Sequence, residues 1–374
     1  MNNLLSYISW RGDIGFSQSP VNEVDIALFS EFLVPDFHGI IPPDPSGEPV
    51  SLQDAVEKYF VLHPDAGSEL GVLEPQNTIP MIRAMALSER FRAVKLSGYV
   101  IHVDETRNEQ FGALTASLPD GPRILCFKPT DDTIIGWKED CMLAVSDTVP
   151  AQKDALSYLE KAAGEDNAPL ILSGQSKGGN LAAFAAMHTK ETIKKRIRAV
   201  FNLDGPGFCT SFYEEDWYRD ISDRIFTVRS QHSTVGTLMN EPGTVITVVS
   251  SVQGPSAHDP FTWEVLGTGF VRDPKGQSAQ SRKFEQAMND TLREMDKEER
   301  TEFIEELFSI LSAGGSRTLS DLRDFSLPKL GAIRTKLREG SAVQRFLNRV
   351  IGEYILPEGV KKITERRKAE NNEE

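Results

Sequence analysis

The sequence predicts an α/β fold with a mostly parallel central sheet that is flanked by helices. The chain has 374 residues, of which 39% are hydrophobic, so it can bury a full-sized core. Between residues 123 and 264, short apolar runs typical of buried strands alternate with helical patterns. Such alternation implies βαβ crossovers and therefore parallel strands. A glycine-rich segment at residues 169–186 adds a strand, a sharp turn and a helix in direct succession.

The elements follow in three parts. The first part predicts three helices and then two strands, at Asn22–Leu33, Ser51–Leu62, Thr78–Glu89, Val94–Asp104 and Phe111–Leu118. The middle part predicts five strands, at Ile124–Phe127, Pro169–Ser173, Ala199–Leu203, Arg224–Val228 and Thr244–Val249. It also predicts two helices, at Ala151–Gly164 and Lys177–His188.

The last part has helical patterns and no strand pattern. The predicted helices lie at Ser281–Ser312, Leu319–Arg338 and Ala342–Glu353. We therefore expect an α/β domain over residues 1–270, which includes an N-terminal helical segment at 1–93, and a C-terminal helical extension over residues 271–374.

Composition limits the classes of function. The formal net charge is −14, which disfavours general nucleic-acid binding, because phosphate contacts require clustered Lys and Arg. Three cysteines without CxxC spacing argue against a disulfide framework or a zinc site. No stretch reaches the roughly 18 apolar residues that span a bilayer, and the N-terminus lacks a secretory signal pattern. We expect a cytoplasmic protein without an integral membrane segment.

The strongest motif is Gly174-Gln175-Ser176-Lys177-Gly178, a match to the G-x-S-x-G nucleophile elbow of α/β-hydrolases. A short apolar strand precedes it and an alanine-rich helix follows it, as the motif requires. Small neighbours are needed because the nucleophile occupies a strained turn. The backbone N–H of Lys177, at the start of the helix, is the expected donor to an oxyanion. The simpler interpretation is a glycine-rich turn with an incidental serine.

A second candidate segment follows the strand that ends at Phe127. Functional groups gather where parallel strands end at their carboxyl edge, so Thr130 is a candidate oxyanion donor through its N–H and its hydroxyl. The alternative is a turn in which Asp131 and Asp132 cap the next segment.

The segments FKPTDDTIIGWKED and SGQSKGGNLAAFAA together resemble the class 3 lipase-like α/β-hydrolases, and more closely an uncharacterised bacterial family within that group. The resemblance spans roughly Trp10 to Trp263. It implies an acyl hydrolase that acts on an ester or lipid and uses a serine nucleophile. One departure is Lys128-Pro129, where the family usually has Arg-Gly; proline lacks an N–H and fixes φ.

A nucleophilic serine needs a base, and α/β-hydrolases supply it in the order Ser, acid, His. His258 lies in the loop after the last predicted strand, in an H-D-P-F-x-W context that resembles the family, and is the expected base. The simpler interpretation is a loop-capping histidine. His188 lies on the elbow helix and is expected to be structural, whereas His232 is a lesser alternative.

The sequence indicates the acid of the triad less directly than the serine and the histidine. The family's usual aspartate corresponds here to Ser233, which cannot stabilise an imidazolium by charge. Asp204 ends the preceding strand at the same sheet edge, and the Gly-Pro-Gly after it forces a turn. We therefore predict Asp204 as the acid; the alternative is a turn-stabilising aspartate. Asp259 is adjacent to His258 in sequence, which disfavours good His–Asp geometry.

Two functions remain. The first is a serine acyl hydrolase, lipase- or esterase-like, that needs no metal or cofactor and acts through Ser176, His258 and Asp204. The second is a catalytically silent scaffold that binds a ligand or a protein partner, which Pro129 and Ser233 motivate. The sequence identifies neither substrate-binding residues nor protein partners.

Overall fold

The structure is a computed structural model that describes residues 2–66, 74–312 and 315–323. The chain forms two compact units, Met1–Thr291 and Leu292–Glu374. The first unit continues past the predicted boundary at residue 270. The backbone N–H of Ser278 donates to Gln231 O at 2.7 Å, and the Ser281 hydroxyl donates to Ser233 O. These bonds attach the start of the helical segment to a loop at the sheet edge.

The first unit is built on an eight-stranded sheet in which the strands follow one another in chain order. The strands are β1 (Val50–Ser51), β2 (Lys95–Asp104), β3 (Glu109–Ser117), β4 (Arg123–Phe127), β5 (Leu170–Gln175), β6 (Ile197–Leu203), β7 (Ile225–Ser230) and β8 (Thr244–Val248). The pairs from β1 to β4 are antiparallel, and the pairs from β4 to β8 are parallel. The predicted mostly parallel sheet is therefore confirmed. A separate hairpin pairs β9 (Val265–Leu266) with β10 (Gly269–Phe270).

Among the described residues, nine α-helices lie within the first unit, one crosses the boundary at residue 291, and one lies within the second unit. The first unit contains α1 (Leu4–Arg11), α2 (Glu23–Glu31), α3 (Leu52–Leu62), α4 (Thr78–Leu87), α5 (Ile134–Met142), α6 (Pro150–Ala162), α7 (Lys177–His188), α8 (Glu191–Lys194) and α9 (Asp216–Arg219). Helix α10 (Ala279–Glu294) begins in the first unit and crosses the boundary at residue 291. The second unit contains α11 (Lys297–Leu311) and a 3-10 turn at Ser320–Arg323. No described helix is both long and apolar enough to cross a bilayer.

Helices cover both faces of the sheet because β5 is apolar on both sides. Ile171 packs into one core with residues of α1 to α4, among them Leu28 and Phe29. Leu170 and Leu172 point to the other face and pack into a second core with residues of α6 and α7, such as Leu181. The N-terminal helices therefore form one layer of the α/β unit.

Local signals explain the helix ends that the sequence patterns missed. The predicted helix at Ser281–Ser312 divides in two because Asp296 caps α11 in a reciprocal capping box with Glu299. No element was predicted between Phe127 and Ala151, yet Thr133 caps α5 there by accepting from the Gly136 N–H. Of the other C-terminal predictions, 324–338 and 342–353 lie outside the described residues.

Candidate active site

Ser176 lies between the end of β5 and the start of α7, as the elbow motif predicts. Its backbone has φ 56° and ψ −130°, a conformation that non-glycine residues rarely adopt. A Cβ at Gly174 would lie 2.2 Å from Gly178 C, and a Cβ at Gly178 would lie 2.1 Å from Phe127 O. Both positions therefore require glycine, and the tight approach brings the end of β4 against the elbow.

His258 and Asp204 are brought together at the carboxyl edge of the sheet. His258 ends a 3-10 turn, Gly254–His258, after β8, and its Nδ1 lies 2.7 Å from Asp204 Oδ2. Asp204 follows β6, is fully buried and has φ 52°. Its N–H donates to Val228 O at 2.8 Å, which fixes the turn against β7. Because a carboxylate only accepts, Nδ1 carries the proton in this pair.

Ser233, at the usual acid position, makes different contacts. Its hydroxyl accepts from the Gly236 N–H at 3.0 Å. A Cβ at Gly236 would lie 2.4 Å from Asp204 Oδ1, so this loop packs directly on the carboxylate. Asp204 Oδ1 itself has no hydrogen-bond partner among the described residues. The carboxylate in contact with His258 is therefore that of Asp204.

The structure does not join Ser176 to His258. Within the described residues, the Ser176 hydroxyl makes no hydrogen bond. The contact to His258 Nε2 comes instead from Gln175, whose Nε2 lies 2.9 Å away and also donates to His258 O at 3.1 Å. Sequence reasoning missed this contact. The signal was strand alternation, which places Gln175 on the same face of β5 as Ile171 and Ser173.

The backbone and the side chain of Lys177 have different roles. Its N–H, at the N-terminus of α7, has no partner among the described residues and is available to an anion. Its ammonium points elsewhere: Nζ donates to Gln110 O at 2.8 Å and pairs with Glu139 Oε2 at 3.1 Å, with both side chains buried. The side chain thus anchors the elbow helix to β3 and α5.

The backbone N–H and the hydroxyl of Thr130 also have different roles. Its hydroxyl, predicted as an oxyanion donor, donates instead to Asp140 Oδ2 on α5. Its N–H has no partner in the described parts of the chain. Burial raises the pKa of Asp140 to about 6, although the nearby Lys177 ammonium and the Thr130 hydroxyl lower it. Thr130 therefore offers the site a backbone N–H alone.

The loop that carries Pro129 is tied to the end of α2. Lys128 N–H donates to Gly112 O at 2.9 Å, and Lys128 Nζ donates to the carbonyls of Leu33 and Val34, each at 3.1 Å. Burial lowers the pKa of Lys128. Because Pro129 has no N–H, Thr130 is the first residue after Lys128 with a backbone donor.

Two further acids lie near this loop: Asp259, which follows His258 and is half-buried, and Glu31, which is buried. Asp259 Oδ1 accepts from the Phe261 N–H at 2.9 Å and so caps the following turn. Glu31, at the end of α2, is 1% exposed, and its pKa is raised to about 8 by burial and by the charge of Asp259. His188 Nδ1 donates to Phe184 O within its own helix, and the His188 ring stacks on the Phe184 ring at 4.0 Å, which is a structural role.

Among the described residues, one group has the composition and spacing of metal ligands: His102, Glu109 and Asp154. Arg107 lies between the two acids, with NH1 3.0 Å from Glu109 Oε2 and NH2 3.3 Å from Asp154 Oδ1. The guanidinium therefore supplies the cation in this cluster.

An eight-stranded sheet with a parallel half, helices on both faces and a strand–elbow–helix unit define a lipase-like α/β-hydrolase fold. The chain belongs to the Mbeg1-like family, whose model matches residues 85–309. The match confirms the predicted resemblance from residue 85 onward and extends into the helical segment beyond Trp263, whereas the predicted span from Trp10 to residue 84 lies outside it. The chain is also similar to a structure described as the crystal structure of M37 lipase, with 13% identity over 57% of this chain and 68% of that chain and a TM-score of 0.34. That score is too low for residue roles to be transferred. No curated protein matches the sequence.

Proposed function

We propose that the protein is a serine acyl hydrolase, lipase- or esterase-like, that acts through Ser176, His258 and Asp204. The observation that carries the proposal is the 2.7 Å contact between His258 Nδ1 and Asp204 Oδ2 at the sheet edge where the strained Ser176 lies. A buried carboxylate that accepts from Nδ1 leaves Nε2 as the basic nitrogen of the ring.

In the proposed reaction, Ser176 Oγ attacks the carbonyl carbon of an ester and His258 Nε2 takes the hydroxyl proton. Asp204 stabilises the imidazolium that forms. The carbonyl oxygen becomes an oxyanion, which the N–H groups of Lys177 and Thr130 stabilise. His258 then gives its proton to the departing alcohol oxygen as the carbon–oxygen bond breaks, and the acyl group remains on Ser176.

The second half of the reaction repeats these roles with water. His258 takes a proton from water, whose oxygen attacks the acyl carbon. The bond to Ser176 Oγ then breaks, and the serine recovers its proton from His258. The products are a carboxylic acid and an alcohol. Lipid or small acyl esters are the substrate class that this chemistry serves.

The alternative is a silent scaffold that binds a ligand or a protein partner. This alternative is favoured because two groups that an active hydrolase would use at the reaction centre, His258 Nε2 and the Thr130 hydroxyl, already have hydrogen-bond partners. Gln175 contacts His258 Nε2, and Asp140 accepts from the Thr130 hydroxyl. In this reading the family fold is retained and the reaction is lost.

A fluorophosphonate probe distinguishes the two functions, because it labels only an activated serine. We expect labelling of the full chain that disappears in Ser176→Ala. Ser173→Ala is the matched control: Ser173 is buried on the same strand and its hydroxyl lies 2.8 Å from Ser30 Oγ, away from His258. Absence of labelling in folded protein would contradict the hydrolase and favour the scaffold. Labelled protein should also hydrolyse p-nitrophenyl esters, and a series of acyl chain lengths then measures chain preference.

A further inference from the structure

Gln175 makes two contacts to His258 from one amide nitrogen. Its Nε2 donates to His258 O at 3.1 Å and lies 2.9 Å from His258 Nε2. The side chain is 7% exposed and lies at the last position of β5, directly before Ser176. The residue that precedes the proposed nucleophile therefore lies against the proposed base.

The carbonyl contact fixes which way the amide points. A carbonyl oxygen only accepts, so the group that faces His258 O must be the NH₂ of Gln175 and not its oxygen. The second N–H of that group then faces His258 Nε2, which must accept through its lone pair. Since Nδ1 donates to Asp204, both sides of the ring specify the same neutral tautomer.

We propose that Gln175 is a positioning residue that holds His258 in a resting state, with the lone pair of Nε2 occupied until the Gln175 side chain moves away. The inference rests on the proposed function, since Nε2 is the atom that receives the Ser176 proton. In the resting state the ring has the correct tautomer for a base, yet Ser176 Oγ has no free acceptor on it.

The proposed reaction itself requires this contact to break. Once Nε2 has taken a proton it is a donor, and the NH₂ of Gln175, also a donor, no longer binds it. Rotation of the Gln175 side chain about its own bonds breaks the contact. The contact with Nε2 therefore belongs to the neutral ring, before attack.

The first test is the ¹⁵N NMR spectrum of the full chain with labelled histidine. The chain has six histidines, and His258→Gln identifies the His258 signals. In Gln175→Met, which keeps the side-chain length but has no donor, we expect the Nε2 resonance to move toward that of a free lone pair while Nδ1 stays protonated. Gln175→Leu serves if the methionine variant fails to fold, because leucine is also apolar and has no donor.

Gln152→Met is the matched control. Gln152 is 3% exposed, and its Nε2 donates to Asn180 Oδ1 on α7 at 2.8 Å, so the variant also loses a buried amide bond to the elbow helix. It should leave the His258 resonances unchanged. An Nε2 resonance that is the same in wild type and Gln175→Met overturns the proposal.

The second test is the rate of fluorophosphonate labelling across pH. Loss of one hydrogen bond of ordinary strength should accelerate labelling about five-fold at high pH, because Ser176 no longer competes with Gln175 for Nε2. The pH of half-maximal labelling should rise, since the neutral ring loses a donor that favours it. Slower or unchanged labelling at high pH would overturn the resting-state role. If wild type is not labelled at all, the proposed function fails, and the NMR result still decides whether Gln175 holds His258.

Discussion

The two arms of the candidate site differ in what their side chains do. On the acid–base arm, the polar atoms of His258 and Asp204 contact each other at 2.7 Å and face the elbow. On the oxyanion arm, the side chains of Thr130 and Lys177 turn away, toward Asp140 and Glu139 of α5. The oxyanion arm thus presents backbone N–H groups to the site and uses its side chains as anchors.

This difference predicts that substitutions on one arm mainly affect the reaction rate and that substitutions on the other mainly affect folding stability. Substitutions on the acid–base arm remove groups that act on the reacting atoms, so we expect large losses of rate with small changes in folding. Substitutions on the oxyanion arm keep the backbone donors, so we expect changes in stability with small changes in the rate of the folded protein. Four variants test this division.

Asp204→Asn should have the largest effect. The amide cannot stabilise the imidazolium and favours the wrong tautomer, so kcat should fall by about 10⁴-fold, as for the corresponding change in other Ser-His-Asp hydrolases. Ester hydrolysis by the purified variant measures it. Ser233→Ala is the control at the family's usual acid position and should change kcat less than about three-fold, since its hydroxyl bonds only Gly236. Equal losses in the two variants would contradict the assignment of Asp204.

Lys177→Met should have the largest effect on folding. It leaves Glu139 buried without its cation, and breaking a buried ion pair lowers the free energy of unfolding by about 3–5 kcal/mol. Urea unfolding measures the change. The backbone N–H remains, so labelling of the folded protein should slow by less than about ten-fold.

Lys190→Met is the exposed counterpart of that variant. Lys190 Nζ lies 3.3 Å from Glu160 Oε2, but the lysine side chain is 69% exposed. An exposed pair of this kind contributes less than about 1 kcal/mol. If the two lysine variants unfolded at the same urea concentration, Lys177 would not be an anchor of the oxyanion arm.

The backbone scaffold of the site was predictable because its signals are local. The glycines at 174 and 178 mark the elbow, and helix α7 begins and ends as predicted, at Lys177 and His188. Asp204 was selected because a strand ends there and a turn follows. These inferences need only strand length, glycine positions and the rule that parallel strands end at one edge.

The side-chain contacts of the site were not predictable because they join residues distant in sequence. The sequence favours an oxyanion-donor role for the Thr130 hydroxyl. In the structure this hydroxyl donates to Asp140 instead, because α5 places that carboxylate beside it. Likewise Gln175 occupies an unspecified position of the G-x-S-x-G motif, so the motif assigns it no role. Its contact with His258 depends on the turn at Gly254–His258, which is distant in sequence. The left-handed φ of 52° at Asp204, which a non-glycine residue seldom adopts, also has no sequence signature.

Asp140→Asn should show how much the ionised Asp140 carboxylate lowers the free energy of unfolding. Because burial raises the pKa of Asp140 to about 6 from a usual value near 4, the folded protein binds this proton more tightly than the unfolded chain. The ionised carboxylate therefore destabilises the fold above pH 6, and the penalty disappears as pH falls toward 4. The amide can still accept from Thr130. We expect Asp140→Asn to add about 2–3 kcal/mol to the free energy of unfolding above pH 6 and little at pH 4, by urea unfolding across that range. A gain that does not vary with pH would point to packing instead of charge.

Thr130→Val gives the smallest effect and the sharpest comparison of the two arms. The variant keeps the N–H but removes the hydroxyl that donates to Asp140, so the free energy of unfolding should fall by about 1–3 kcal/mol. If the hydroxyl is only an anchor, labelling of the folded protein should slow by less than about ten-fold. A hydroxyl that donates to the oxyanion would cost about 10²–10³-fold instead. Thr130→Ser restores the hydroxyl and should recover both stability and rate, whereas a large loss of rate in the valine variant alone would move Thr130 from anchor to side-chain donor.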